Sequence, residues 1–161
     1  MKQGWVRVLL WLVVLATAVM IFCFSDQDGV TSGETSGWLV ERVIRVVEPD
    51  YGTLPEAEQL RVFDAWQLVI RKGAHFSEYA LLGCLLRLLC ACYPLRRRGV
   101  TAWLSSAAYA VTDECHQLLS TGRSPMALDV LIDSAGALVG VLAAWALLRW
   151  RSAKHRAGKT A

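Results

Sequence analysis

The sequence predicts an all-α membrane protein with four transmembrane helices and two short amphipathic interfacial helices between spans one and two. Three observations lead there. Hydrophobic residues make up 55% of the 161 positions and the mean hydropathy is +0.37, values that suit a small polytopic membrane protein better than a soluble domain. Four apolar segments, residues 5–24, 74–93, 100–119 and 128–150, approach the ~20 residues that cross a ~30 Å hydrocarbon core. Lys and Arg gather at alternate ends of these segments, and every Asp and Glu lies elsewhere.

The first apolar segment follows a basic start, Lys2 and Arg7, and contains the small-residue run Ala16, Thr17, Ala18, features shared with a signal peptide. Its apolar run continues to Phe24, which is longer than an ordinary signal core, so it reads as an anchor. Residues 25–73 are too long and too patterned for a bare loop. Trp38, Leu39, Val43, Ile44, Val46 and Val47 give one short amphipathic helix. Thr53 with Glu56 resembles a capping box ahead of a second, with Leu60, Phe63, Gln67 and Ile70 on one face. Both helices are expected to lie over the mouth of the bundle, with Trp38 and Trp66 at the interface.

Arg96, Arg97 and Arg98 fill the turn between spans two and three, and Arg149, Arg151, Lys154, Arg156 and Lys159 form a basic tail at residues 151–161 and the end of span four. The positive-inside rule makes these segments and the N-terminus cytoplasmic, with residues 25–73 and the turn at residues 120–125 outside; Arg71 and Lys72 run against the pattern. The expected location is the plasma membrane of a bacterial cell, crossed several times. The tail reads as a topology signal or an anionic-lipid contact, not as a nucleic-acid arm. No repeat, low-complexity tract or separate soluble domain divides the chain, which reads as a single integral membrane domain over residues 1–161.

In that topology the polar residues of three spans share one layer. A charge at the bilayer centre costs roughly 2.5–3.5 kcal/mol, so the run Asp113, Glu114, Cys115, His116, Gln117 in span three needs partners. At 1.5 Å per residue Asp113 lies about 20 Å above Val100, in the outer third of the bilayer. Span two enters from outside with His75 and Glu78 in its first turns, and span four with Asp129 and Asp133. Helical phase agrees: His75, Glu78, Tyr79 and Leu82 share one face, as do Asp129, Asp133, Gly136 and Gly140, and as do Asp113, His116 and Gln117. Glu114 lies about 100° round from Asp113, toward a neighbouring helix or the headgroups. Gly136 and Gly140 form a GxxxG pattern that permits close helix approach below the layer.

Three stretches carry a family resemblance. Residues 24–33, FSDQDGVTSG, residues 71–83, RKGAHFSEYALLG, and residues 112–140, TDECHQLLSTGRSPMALDVLIDSAGALVG, together resemble the VanZ-like family of bacterial membrane proteins. That family's pattern runs FSxQ, HxxEY, DExxQ, a GR pair, then Asp followed four residues later by Asn or Asp, then Gly. The resemblance implies a role in the cell envelope and an association with teicoplanin resistance. Two departures stand out: Asp133 where some relatives carry Asn, which adds a negative charge, and Thr121 where a Pro often precedes the Gly.

Hydrogen bonding between helices accounts as well as function does for Ser77, Ser105, Ser106, Thr112 and Gln117. Five ionisable groups in one layer, His75, Glu78, Asp113, Asp129 and Asp133, exceed what gluing requires. Candidate catalytic groups are therefore His75, Glu78, Asp113, Glu114, His116, Asp129 and Asp133, with Lys72, Tyr79, Gln117 and Arg123 for binding, the two cations suited to phosphate. A divalent metal is a candidate cofactor, with His75, Glu78, Asp113 and His116 as candidate ligands at permissive i, i+3 spacings. The expected partners are membrane lipids or a lipid-linked envelope molecule, and not nucleic acid. An enzyme, a binding protein or proton-coupled transporter, and a non-catalytic scaffold all remain consistent with this layer; four short spans without an internal repeat disfavour a transporter. Nucleophilic chemistry has little support, since Cys115 and His116 diverge by about 100° on a helix. Cys23, Cys84, Cys90, Cys92 and Cys115 all fall within spans and read as packing residues, not a disulfide framework.

Overall fold

A computed structural model describes residues 2–25, 29–117 and 127–158. These fold as five α-helices: α1 (Lys2–Ser25), α2 (Gly29–Val47), α3 (Glu56–Ala91), α4 (Arg98–Gln117) and α5 (Ala127–Ala157), with one 3₁₀ turn at Tyr51–Thr53. Among the described residues three stretches are long and apolar enough to cross a membrane, Gly4–Ser25, α3 and α5. The fourth expected span, α4, has the length, 20 residues, but is too polar to qualify by composition. Ser105, Ser106, Thr112, Asp113, Glu114, His116 and Gln117 are the cause.

The expected second surface helix is not a separate element. Residues 56–91 form one helix of 36 residues, about 54 Å long and so nearly twice the thickness of a ~30 Å hydrocarbon core. Gly73, taken as the boundary, lies in open space and interrupts nothing, because a lone glycine weakens a helix by about 1 kcal/mol without breaking it. Nor does Thr53 cap this helix. Pro55 occupies the N-cap with no side-chain cap bond, and Thr53 Oγ1 donates instead to the Asp50 carbonyl at 2.8 Å within the 3₁₀ turn. Proline starts the helix well because its fixed φ suits the entry and its missing N–H would have been unsatisfied there anyway. The segment expected to hold the first surface helix is helical as α2, burying Val40 and Ile44, one turn apart, and packing on α3.

The seam between α3 and α5 organises the bundle. These helices run parallel, and small residues let their backbones touch: a methyl group built on Gly136 would run into the backbone of Phe76, one on Gly140 into Ala80, and one on Gly83 into Ala137. The GxxxG pair of the sequence is thus the contact itself, with packing and backbone proximity supplying the attraction that hydrophobicity cannot supply inside lipid. The α4 helix returns antiparallel along both, burying Ala102, Ser106 and Ala110. On the far side, α1 lies against α3 and α4. Its contacts are specific: Tyr109 Oη donates to the Ala18 carbonyl at 2.7 Å, Trp11 Nε1 donates to Tyr93 Oη at 3.0 Å, and Arg7 sits 5.2 Å over the Tyr93 ring.

The two ends of the bundle differ in charge. Arg7 and Arg98 converge on Tyr93 just past the end of α3, Arg98 Nε donating to its carbonyl at 3.2 Å. The expected basic tail continues α5 as helix to Ala157, with Arg149 over Trp145 at 5.0 Å and Lys154 over Trp150 at 5.6 Å. The acidic residues of α3, α4 and α5 collect at the opposite end.

Candidate acidic site at one end of the bundle

Parallel packing of α3 and α5, locked in register by Gly136 and Gly140, places Lys72 beside Asp129; Lys72 Nζ donates to Asp129 Oδ1 at 2.5 Å. One turn further along α3, His75 Nδ1 lies 3.9 Å from Glu78 Oε2, both side chains mostly shielded. Asp113 and Asp133 are 3% and 5% exposed, so the carboxylates that α4 and α5 contribute are buried in the bundle and not displayed on it. Asp133 is within electrostatic range of Asp113, Asp129, Glu114 and Glu78, and Glu78 of Asp113. Glu114, which sequence phase turned away, is buried and belongs to the layer.

Tyr79 is wholly buried at the centre, its ring 6.2 Å from that of Tyr109, and lies within range of Asp113, Asp133 and Glu78. Its hydroxyl and the Oδ1 of Asp133 are buried without a hydrogen-bond partner among the described residues. Buried polar atoms are nearly always bonded in folded proteins, and each exception asks for an explanation. The carboxyl groups of Glu78, Asp113, Glu114 and Asp129 all lie within electrostatic range of Asp133, with Lys72 paired to Asp129 and His75 beside Glu78. The arrangement supplies hydrogen-bond donors and acceptors, groups able to move a proton, and negative charge in a shielded place.

The other two members of the expected α4 stripe turn elsewhere. The His116 ring packs on Phe22 of α1 with centroids 4.4 Å apart, and Gln117 Nε2 donates to Ser25 Oγ at 2.5 Å. Among the described residues no three His, Cys, Asp or Glu side chains are disposed to hold one metal ion, so the expected set of His75, Glu78, Asp113 and His116 does not assemble. The reason is geometric: the wide polar face of α4 is divided between α3 and α5 on one side and α1 on the other. Arg123 lies outside the described residues. Ser25 is the site residue that sequence reasoning missed. Its position in the FSxQ stretch was the signal, and the structure ties that stretch to the DExxQ stretch through Gln117.

A family model described as VanZ/LLP1 matches residues 9–149. The chain belongs to the VanZ/LLP1 family. In this VanZ/LLP1 chain the three stretches that carry the family pattern meet in space: Ser25 touches Gln117, and the HxxEY turn of α3 faces Asp113 of α4 and Asp133 of α5. Family membership and the long apolar helices point to a VanZ-like membrane protein. No curated protein and no solved structure matches the chain.

The Lys72–Asp129 bond also makes a quantitative prediction for the layer. Lys72→Gln and Asp129→Asn, alone and together, should show a coupling of about 0.5–1 kcal/mol in thermal unfolding of the purified protein, the upper part of the range for partly exposed ion pairs. Strict additivity would mean that the contact does not join α3 to α5 in solution.

Proposed function

We propose that this VanZ-like protein binds or acts on a lipid-linked or amphiphilic cell-envelope component at the outer face of the plasma membrane, and so influences susceptibility to teicoplanin-type glycopeptide antibiotics. The observation that carries the reading is the convergence of Glu78, Asp113 and Asp133 from three helices around the buried Tyr79 hydroxyl. A bundle held together by hydrogen bonds has no need of so much like charge in one place, whereas a site for a polar headgroup or a proton transfer does. Lys72, paired with Asp129, and Arg123 are the two cations proposed to hold a phosphate. The burial of Asp113 and Asp133 favours a second reading, a sealed network in a non-catalytic scaffold.

In this proposal four helices, α1, α3, α4 and α5, cross the membrane, with both termini cytoplasmic and α2 with the first turns of α3 at the outer interface. Support comes from the segregation of the basic residues at the Tyr93 end and the acidic ones at the other. A cysteine introduced at Gly52 in a background lacking the native cysteines should react with an impermeant thiol reagent in intact cells, and one at Gly99 should not. Labelling at Gly99 alone would place the acidic end in the cytoplasm and sink the outer-face assignment. The function itself is tested by expressing the chain in a teicoplanin-susceptible bacterium. Its inhibitory concentration should rise relative to a vector control, and an unchanged value at confirmed membrane expression would overturn the envelope reading.

A further inference from the structure

At the end of the bundle away from the acidic layer, a groove of about 750 Å³ opens between the α3–α4 turn and the flank of α5. One end of it is basic, lined by Arg87, Arg96, Arg97 and Arg98. The rest is apolar, walled by Trp103, Leu142 and Trp145 among others, and Leu142 and Trp145 are about half exposed on the outer surface of the helices. Arg87 is the unusual member. It leaves α3 one turn before the helix ends, and its Nε and Nη1 are shielded from solvent with no hydrogen-bond partner among the described residues. Guanidinium groups rarely go unsatisfied, because desolvating an ionised donor without a partner is costly.

We propose that this groove binds an anionic phospholipid of the adjacent leaflet, its phosphate held by Arg87 and the arginines of the turn and an acyl chain laid along Trp103, Leu142 and Trp145. Charge complementarity selects the headgroup: four guanidinium groups line the groove and no carboxylate does. The planar fork of arginine matches a phosphate diester in two parallel hydrogen bonds. The apolar walls select a lipid over a free phosphate, since they continue from the basic end onto a surface that faces hydrocarbon wherever α5 is in the membrane. Trp145 suits the level between headgroup and chain, where an apolar ring with one polar edge is most at home. This site is independent of the acidic layer and of the function proposed for it.

The full chain, purified in a mild detergent, is mixed with equal amounts of dioleoyl phosphatidylglycerol and dioleoyl phosphatidylcholine, and bound lipid is counted by native mass spectrometry. Wild type should retain the anionic lipid in preference to the zwitterionic one by about tenfold, and Arg87→Gln should remove most of that preference. Arg87→Lys should keep part of it, because the charge stays and the fork is lost. Arg96→Gln with Arg97→Gln, at exposed positions that the fold does not depend on, should lower it as well, and decides the matter if Arg87→Gln does not fold. Arg151→Gln with Lys154→Gln in the tail should leave it unchanged. Equal retention of the two lipids, a preference carried by the tail variants instead, or displacement of the lipid by an equal concentration of glycerol 3-phosphate would overturn the proposal.

Discussion

Asp113→Asn and Asp133→Asn should each abolish the teicoplanin phenotype proposed for the expressed protein while leaving its membrane level and thermal midpoint near wild type. A carboxamide has the size of a carboxylate and keeps hydrogen-bonding capacity, so a layer that merely glues helices tolerates the exchange. It cannot accept a proton near neutral pH or offer full negative charge, so a site that recognises or transforms a ligand does not tolerate it. Both positions are buried in the bundle and lie within electrostatic range of each other, which makes a stability response visible if the carboxylates are structural. Removing one of several crowded like charges relieves repulsion, an effect that opposes any loss of hydrogen bonding and keeps the expected midpoint shift small. His75→Gln extends the test to α3, since glutamine has no imidazole to titrate. Loss of phenotype in step with loss of stability in these variants would hand the site to the scaffold reading.

Gly140→Val should be the most damaging single substitution in the bundle for folding. The added side chain meets the backbone of Ala80 and of Cys84, and backbone cannot rotate out of the way as a side-chain tip can. Overpacking of a tight core costs about 1–3 kcal/mol and occasionally more, so a thermal midpoint well below wild type, or failure to accumulate in the membrane, is expected. Gly73→Ala is the internal contrast. Nothing stands near that position, and alanine in a helix interior is favoured over glycine by roughly 0.5–1 kcal/mol, so this variant should melt at or above wild type. Similar melting of the two variants would contradict the α3–α5 seam.

What was legible in advance follows from what a helical period can encode. The acidic groups of three segments could be assigned to one layer because phase and distance from a span's end are properties of each segment alone, and Glu78, Asp113 and Asp129 do lie within electrostatic range of Asp133. The glycine pair of α5 was readable for the same reason. Which neighbour occupies which flank of a helix is not local information. Asp113 and His116 share a broad face of α4, yet one side of that face belongs to α3 and α5 and the other to α1, so His116 ends against Phe22 and the expected ligand set does not form. Ser25 escaped notice because a serine after an apolar run looks like the edge of a span, and its bond to Gln117 joins residues 92 positions apart. The continuity of α3 was hidden by Arg71, Lys72 and Gly73, a polar and flexible triplet that marks an interface in composition without ending a helix.

That continuity makes α3 a stiff shaft. Along its length it carries α2, which buries Val40 and Ile44, and Lys72, His75, Glu78 and Tyr79 toward the acidic layer. An unbroken ladder of backbone hydrogen bonds joins the two, with no loop between them. The seat of α2 and the Lys72–Asp129 contact are therefore held by one continuous element.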